Sequence, residues 1–289
     1  MTDFINLHSK HFNFTKFIAS VLKEDLGDGD HTSLSIISKK QRGKMRLLVK
    51  EDGIIAGVEA AIRILKQIDK RCSIEVFIPD GASVKKGDVV FTVEGSTRKL
   101  LQAERLLLNI MQRMSGIATH TAQLQTLCKG SHTKVIDTRK TTPGFRFFEK
   151  WAVVIGGGAN HRYGLFDMIL IKDNHIDFAG GITEAIDAAN VYLKKNKKSL
   201  AIEVETRSLE DVKRVLAHGG FQRLMFDNFS VADTAKAVKL VNGKFETESS
   251  GGINEKNIAA YARSGVDFIS VGALTHQVKS LDLSLKAFK

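Results

Sequence analysis

Four cations stand beside segments that otherwise look buried. Arg139 and Lys140 lie in Asp137-Thr138-Arg139-Lys140-Thr141-Thr142-Pro143-Gly144, and Arg162 ends Gly156-Gly157-Gly158-Ala159-Asn160-His161-Arg162. Lys172 opens Lys172-Asp173-Asn174-His175 directly after the apolar run Met168-Ile169-Leu170-Ile171. Collecting like charges near a core costs free energy unless an anion joins them. The chemistry indicated is recognition of a substrate with several negative charges. Glu205 and Asp227 add carboxylates, and Glu203 shares a strand face with Glu205 because it lies two residues away. Ser250-Gly251-Gly252 and Val271-Gly272-Ala273 bring glycines whose neighbouring amides can approach a phosphate.

A strand-then-helix rhythm must position these residues. Short apolar runs begin near Lys134, Met168, Leu200, Arg223, Lys244 and Phe268. Between most of them lie helical patterns: Ile182, Ala185, Ile186, Ala189 and Leu193; Val212, Val215 and Leu216, ending at Gly219-Gly220; Val231, Ala235, Val238 and Val241; and a fourth from Asn254, as N-cap, through Ile258 and Ala262 to Gly265. Repeated βα units imply a parallel sheet. Arg139, Lys140, Lys172, Glu205, Asp227, Ser250 and Gly272 each fall at or just past a strand's C-terminal end, as at a barrel mouth. An open doubly wound sheet would gather them at one switch point instead. The region spans far fewer residues than the roughly 250 of a full eight-unit barrel.

Residues 1–115 differ. Lys44–Lys50 and Ile74–Ile78 read as strands, Val58–Ile68 as a helix, and 79–90 as turns and short strands. Leu100 to about Leu127 reads as one long helix with no flexible linker near 115. The expected class is therefore α/β: an N-terminal α+β sandwich domain at 1–115, then an incomplete TIM-like barrel at 116–275. The C-terminal tail, 276–289, is expected to pack back on the first domain.

The totals set limits. The 289 residues carry a formal charge of +11, from 43 Lys+Arg against 32 Asp+Glu. That balance suits a polyanionic metabolite, and the basic residues are too scattered, without aromatic interleaving, for a nucleic-acid stripe. Cys72 and Cys128 form no disulfide framework. The segment Met1–His8 lacks the pattern of a secretory leader, and no apolar run approaches the roughly 20 residues of a membrane span. A cytoplasmic protein without membrane or nucleic-acid partners is expected.

Several motifs together closely resemble the quinolinate phosphoribosyltransferase family, the carboxylating nicotinate-nucleotide pyrophosphorylases of NAD biosynthesis. They are Glu24-Asp25-Leu26-Gly27-Asp28-Gly29-Asp30-His31-Thr32-Ser33, Ala103-Glu104-Arg105-Leu106-Leu107-Leu108-Asn109, Ser115-Gly116-Ile117-Ala118-Thr119 and the segments 137–144, 156–162 and 171–175. Glu203-Val204-Glu205, Asp227-Asn228-Phe229 and Ser249-Ser250-Gly251-Gly252-Ile253 complete a set running in family order from about residue 24 to 275.

The resemblance implies condensation of quinolinate, a pyridine dicarboxylate, with phosphoribosyl pyrophosphate. The products are nicotinate mononucleotide, pyrophosphate and carbon dioxide. It implies that Arg139, His161, Arg162 and Lys172 hold the quinolinate carboxylates, with Thr138 in the same binding set. Arg105 would reach in from the second subunit of a homodimer. Lys140 and Lys172 would face the pyrophosphate side and the centre where charge changes. Glu205 and Asp227 would meet ribose hydroxyls and, directly or through water, the Mg²⁺ that accompanies the substrate; these two and the two lysines form the catalytic set. Ser250, Gly251, Gly252, Val271, Gly272 and Ala273 would seat the 5′-phosphate. Catalysis of this kind is electrostatic, at roughly 3–4 kcal/mol per preorganised group, with no covalent enzyme intermediate.

Structural explanations compete at single positions. Arg105 on a helix is ordinarily a solvated charge, and His161 and His175 can be satisfied loop histidines. Glu203 can serve as partner to a barrel cation, and Asp25, Asp28 and Asp30 as turn and capping residues. Lys172 after a buried strand is harder to explain so, because it must snorkel out. Three other functions fit part of the pattern. A related phosphoribosyltransferase would take another aromatic carboxylic acid; a phosphate-binding barrel would use Lys140 or Lys172 as a Schiff base; a nucleic-acid-binding protein would use the positive charge.

Overall fold

The computed structural model describes residues 4, 8 and 10–288. The N-terminal segment read above thus lies, apart from Phe4 and His8, outside the described residues. In chain order the elements begin α1 (Phe14–Leu26), α2 (His31–Ile36), β1 (Arg42–Val49), β2 (Gly53–Ile54), α3 (Val58–Ile68), β3 (Ser73–Val76), β4 (Ser83–Val84), β5 (Val89–Ser96) and α4 (Thr97–Leu127). They continue with β6 (Lys134–Ile136), α5 (Arg146–Ile155), β7 (Ile169–Ile171), α6 (Asp173–Ala179), α7 (Ile182–Lys195), β8 (Ile202–Thr206) and α8 (Leu209–His218). The last are β9 (Arg223–Asp227), α9 (Val231–Val241), β10 (Glu246–Ser250), α10 (Ile258–Arg263), β11 (Phe268–Ser270), α11 (Ala273–His276) and β12 (Leu283–Phe288). Among the described residues no helix is long and apolar enough to cross a membrane.

The chain forms two compact units. The first holds residues 1–122, 142–157 and 277–289, and the second holds 123–141 and 158–276. The first is built on an antiparallel sheet in the order β12-β1-β5-β3, beside a small β2-β4 pair. Met45, Leu47 and Val49 alternate on β1 with exposed or half-buried residues, so one face of that strand is apolar and buried. Helix α3 buries Val58, Ala60, Ala61, Ile64 and Leu65, a spacing that puts them on one side. Its first amides are capped from a distance, because the buried Asp80 carboxylate accepts from Val58 N at 2.8 Å and Glu59 N at 3.1 Å. On α2 the local cap is Asp30, which accepts from Ser33 N at 3.0 Å, so this member of the aspartate run is a capping residue.

The Ser115-Gly116 pair has its structural meaning in this unit. The Ser115 hydroxyl bridges the amide and carbonyl of Ala56. A side chain at Gly116 would collide with the backbone oxygen of Lys279, where the tail crosses the helix. The tail then pairs through β12 with β1, Leu47 opposite Leu285.

Residues 142–157 lie in the first unit, not in the barrel span of 116–275, and helix α4 stays with that unit as far as Ala122. The physical reason is aromatic. Phe147 of α5 stacks on Phe12 at 4.3 Å, Phe148 lies 5.2 Å from Phe17, and Phe147, Phe148 and Trp151 are buried. A partly buried ion pair adds to this, with Arg113 Nη2 2.6 Å from the buried Glu149 Oε1.

The second unit is an incomplete TIM-like α/β barrel. Its six parallel strands lie in the order β6-β11-β10-β9-β8-β7. Strands β7 to β11 add in chain order, and β6 then joins β11, so the first two strands of the unit form the two edges. Most helices between them fall where the apolar spacing puts them, capped at α8 by Ser208 and at α9 by Ser230. The last is shorter than expected. Asn254 does not cap it, because residues 254–257 form a turn in which Asn257 Oδ1 accepts from Asn254 N at 2.8 Å, and α10 starts at Ile258.

Candidate active site

Parallel strands end together, so the residue after each strand faces one mouth. A cavity of about 740 Å³ opens there. Thr138, Arg139, Lys140, His161, Arg162, Lys172, Glu205, Asp227, Ser250, Gly251, Gly252, Val271, Gly272 and Ala273 all line it. Arg105 is the one predicted site residue elsewhere: it is exposed on α4, in the first unit.

The loop after β6 is tied by Lys140 N, which donates to Thr138 Oγ1 at 3.0 Å, and by Lys140 O, which accepts from Thr275 Oγ1 at 2.7 Å. The corner carrying Arg162 is held from behind. Asp137, fully buried, accepts from His161 N at 2.9 Å and from Asn160 Nδ2 at 2.6 Å. Arg162 Nη1 donates to Met168 O at 3.1 Å. Burial pushes the Arg162 guanidinium below its usual value, and the nearby Arg139 adds to the push. Two guanidinium groups that repel each other in one cleft have the forked donors that can receive carboxylates.

Lys172 extends from the end of β7, with Nζ 3.6 Å from Glu205 Oε2. Burial raises the Glu205 carboxyl, Lys172 opposes that rise, and Asp227 reinforces it. His175 is structural, its Nδ1 accepting the Lys172 amide at 3.0 Å at the start of α6.

Sequence reasoning missed several lining residues: Asn228, Glu248, Ser270 and His276. Asn228 has φ 55° and donates from Nδ2 to Asp227 Oδ2 at 2.8 Å. Its backbone N donates to Ser250 O, joining the loops after β9 and β10. Gly251, at φ 94°, lies so close that a side chain there would strike the Asn228 amide oxygen. The signal for Glu248 was in the sequence, since Glu246, Glu248 and Ser250 follow the same two-residue alternation as Glu203 and Glu205.

At the cavity floor His161, Glu203 and Glu248 place one ligand-type atom each within 4.8 Å of one another, all three buried. Their chemistry does not fit a metal. Arg162 N donates to His161 Nδ1 at 2.7 Å, so Nδ1 carries the lone pair and the other nitrogen, Nε2, carries the hydrogen. A protonated nitrogen cannot ligate, and the Arg223 guanidinium already lies 3.5 Å from Glu248. The hard oxygen donors that fit Mg²⁺ are Glu205 and Asp227, in the open cavity.

Burial, with Glu203 as a neighbouring carboxylate, pushes the Glu248 carboxyl up to about 8. The folded protein therefore keeps a proton that the unfolded chain, near 4.5, releases. The resulting stability is full below about pH 4.5 and is lost as pH rises through 8. Melting temperatures from pH 5 to 8.5 should fall less steeply for Glu248→Gln than for the parent protein, and parallel curves would contradict this assignment.

Residues 30–115 match the family described as quinolinate phosphoribosyl transferase, N-terminal domain, and residues 117–286 match its C-terminal domain. A chloroplastic carboxylating nicotinate-nucleotide pyrophosphorylase of Oryza sativa is 44% identical over 291 residues, covering 95% of this chain and 78% of the relative. A probable carboxylating nicotinate-nucleotide pyrophosphorylase of Bacillus subtilis is 39% identical over 275 residues, covering 95% and 93%. The crystal structure of NadC from Streptococcus pyogenes superposes with a TM-score of 0.88 at 36% identity, covering 94% of this chain and 96% of that one. With both domain types matched in order along nearly its whole length, the chain belongs to the quinolinate phosphoribosyltransferase family.

Proposed function

We propose that the family reaction, quinolinate plus phosphoribosyl pyrophosphate giving nicotinate mononucleotide, pyrophosphate and carbon dioxide, runs in the 740 Å³ cavity at the barrel mouth. The observation that carries this is the meeting of Arg139, Lys140, Arg162 and Lys172 with Glu205, Asp227 and two glycine loops in one cleft. Arg139 and Arg162, with Thr138 and His161 in the same wall, receive the dicarboxylate. Ser250-Gly251-Gly252 and Val271-Gly272-Ala273 seat the 5′-phosphate. Glu205 and Asp227 meet the ribose hydroxyls and are the residues that would hold Mg²⁺. When bound with the substrate, that ion neutralises charge on the pyrophosphate.

The chain's own groups account for the rest. The pyridine nitrogen forms a bond to the ribose anomeric carbon as the bond to pyrophosphate breaks, its electron pair leaving with the pyrophosphate. Lys140 and Lys172 stabilise the departing anion, while the carboxylates stand beside the carbon where positive charge builds. The bond from the ring to the carboxylate next to nitrogen then breaks. Its electrons stay on the ring carbon beside the positive nitrogen, and that carbon takes up a proton. Arg105 completes the site of a neighbouring subunit in a homodimer.

Turnover of phosphoribosyl pyrophosphate should be measured against quinolinate, nicotinate and other aromatic acids. Quinolinate alone is expected to react efficiently. A preference for a monocarboxylate would remove the need for two carboxylate clamps and favour a related phosphoribosyltransferase.

A further inference from the structure

Glu203 and Glu248 lie one layer below the reacting groups. Strand pleating puts Glu203 on the same face as Glu205, and Glu248 on the same face as Ser250, each two residues nearer the strand start. Both are fully buried. Glu203 Oε2 lies 2.9 Å from His161 Nε2, and Glu248 Oε2 lies 3.5 Å from the same nitrogen. The other ring nitrogen accepts the Arg162 amide at 2.7 Å. A line of close polar contacts therefore runs from a buried acid pair through the imidazole to the backbone of a guanidinium that faces the cavity.

The chemistry of the line has one consistent assignment. Nδ1 accepts, so Nε2 bears the ring hydrogen and needs an acceptor in a place without water. Glu203 stands there. Glu248 stands beside it, 3.5 Å from the same nitrogen. A ring that reversed this tautomer would set an Nδ1 hydrogen against the Arg162 amide hydrogen.

We propose that Glu203, backed by Glu248, is a positioning residue that locks the His161 ring as its Nε2–H tautomer and thereby fixes where the Arg162 guanidinium meets a substrate carboxylate. The proposal rests on the reading of Arg162 as a carboxylate clamp. It predicts an effect confined to one substrate, because the line ends at Arg162 and not at the phosphate loops. A displacement of about 1 Å in a positioning group costs on the order of 100-fold in rate.

Glu203→Leu removes the acceptor; taking one partner from a buried pair also weakens the fold, so the melting temperature is measured alongside. Its KM for quinolinate should rise at least about tenfold with the KM for phosphoribosyl pyrophosphate nearly unchanged, while Glu203→Gln, which keeps an acceptor oxygen, should recover most of the loss. Ring ¹⁵N spectra of histidine-labelled protein, assigned with His161→Gln, should show Nδ1 bare and Nε2 protonated in the parent protein. Equal rises in both KM values, identical behaviour of the Leu and Gln variants, or a protonated Nδ1 in the parent protein would each overturn the proposal; the last needs no variant to fold. Arg162→Lys separates the two readings. If it leaves the quinolinate KM unchanged, the clamp assignment fails; if it raises that KM and Glu203→Leu does not, the positioning role alone fails.

Discussion

Lys172→Ala should lower kcat/KM for quinolinate by about 10²–10³, the scale on which a single preorganised electrostatic group acts. Lys172 sits where the β7 strand ends, with its ammonium 3.6 Å from Glu205. Alanine removes a cation from the side where pyrophosphate leaves. It also removes the charge that opposes the upward push of burial on Glu205, so the ionised carboxylate beside the sugar becomes less populated. The effect should not come from misfolding. The bond that starts α6 is made by the Lys172 backbone amide to His175, which alanine retains, and the lysine side chain is about half exposed. Steady-state kinetics at saturating phosphoribosyl pyrophosphate, with the melting temperature as control, check this. A loss under tenfold would remove Lys172 from the catalytic set.

Mixing two inactive variants should restore activity. Arg105 is exposed on the long helix of the first unit and is absent from the lining of the cavity. If it serves a neighbouring subunit's site, Arg105→Ala and Lys172→Ala damage complementary halves of each site. A mixed dimer then carries one site with both defects and one with neither. Random reassortment makes half the dimers mixed, so about a quarter of the parent activity should return in a two-fold symmetric dimer. Verified mixed dimers that stay inactive would place Arg105 among ordinary solvated helix charges.

The barrel was legible because its strands are short apolar runs closed by polar residues at a single end. Lys172, Glu205 and Asp227 each follow or finish such a run, and all three line the cavity. What escaped reading depended on distance in the chain. Nothing near Phe147 and Trp151 announces that α5 packs with Phe12 and Phe17, because that cluster is assembled from residues more than a hundred positions apart. The buried group of His161, Glu203 and Glu248 likewise needs three elements brought together by parallel pairing. Asn254 and Asn257 are equally good caps by residue type, and only the turn between them decides which one opens the helix. The cations of the opening motifs keep their place at the mouth, but beside the floor of their site stands Glu248, an acid that none of the motifs contains.

The proposed reaction joins quinolinate to phosphoribosyl pyrophosphate in this cavity and decarboxylates it. Carbon dioxide released from quinolinate labelled at the carboxylate next to nitrogen tests it most directly. With Mg²⁺ and phosphoribosyl pyrophosphate present, one carbon dioxide should appear for each pyrophosphate, with none when the sugar substrate is omitted and a severe loss in Lys172→Ala. Pyrophosphate release without labelled carbon dioxide, or labelled release that persists without phosphoribosyl pyrophosphate, would contradict it.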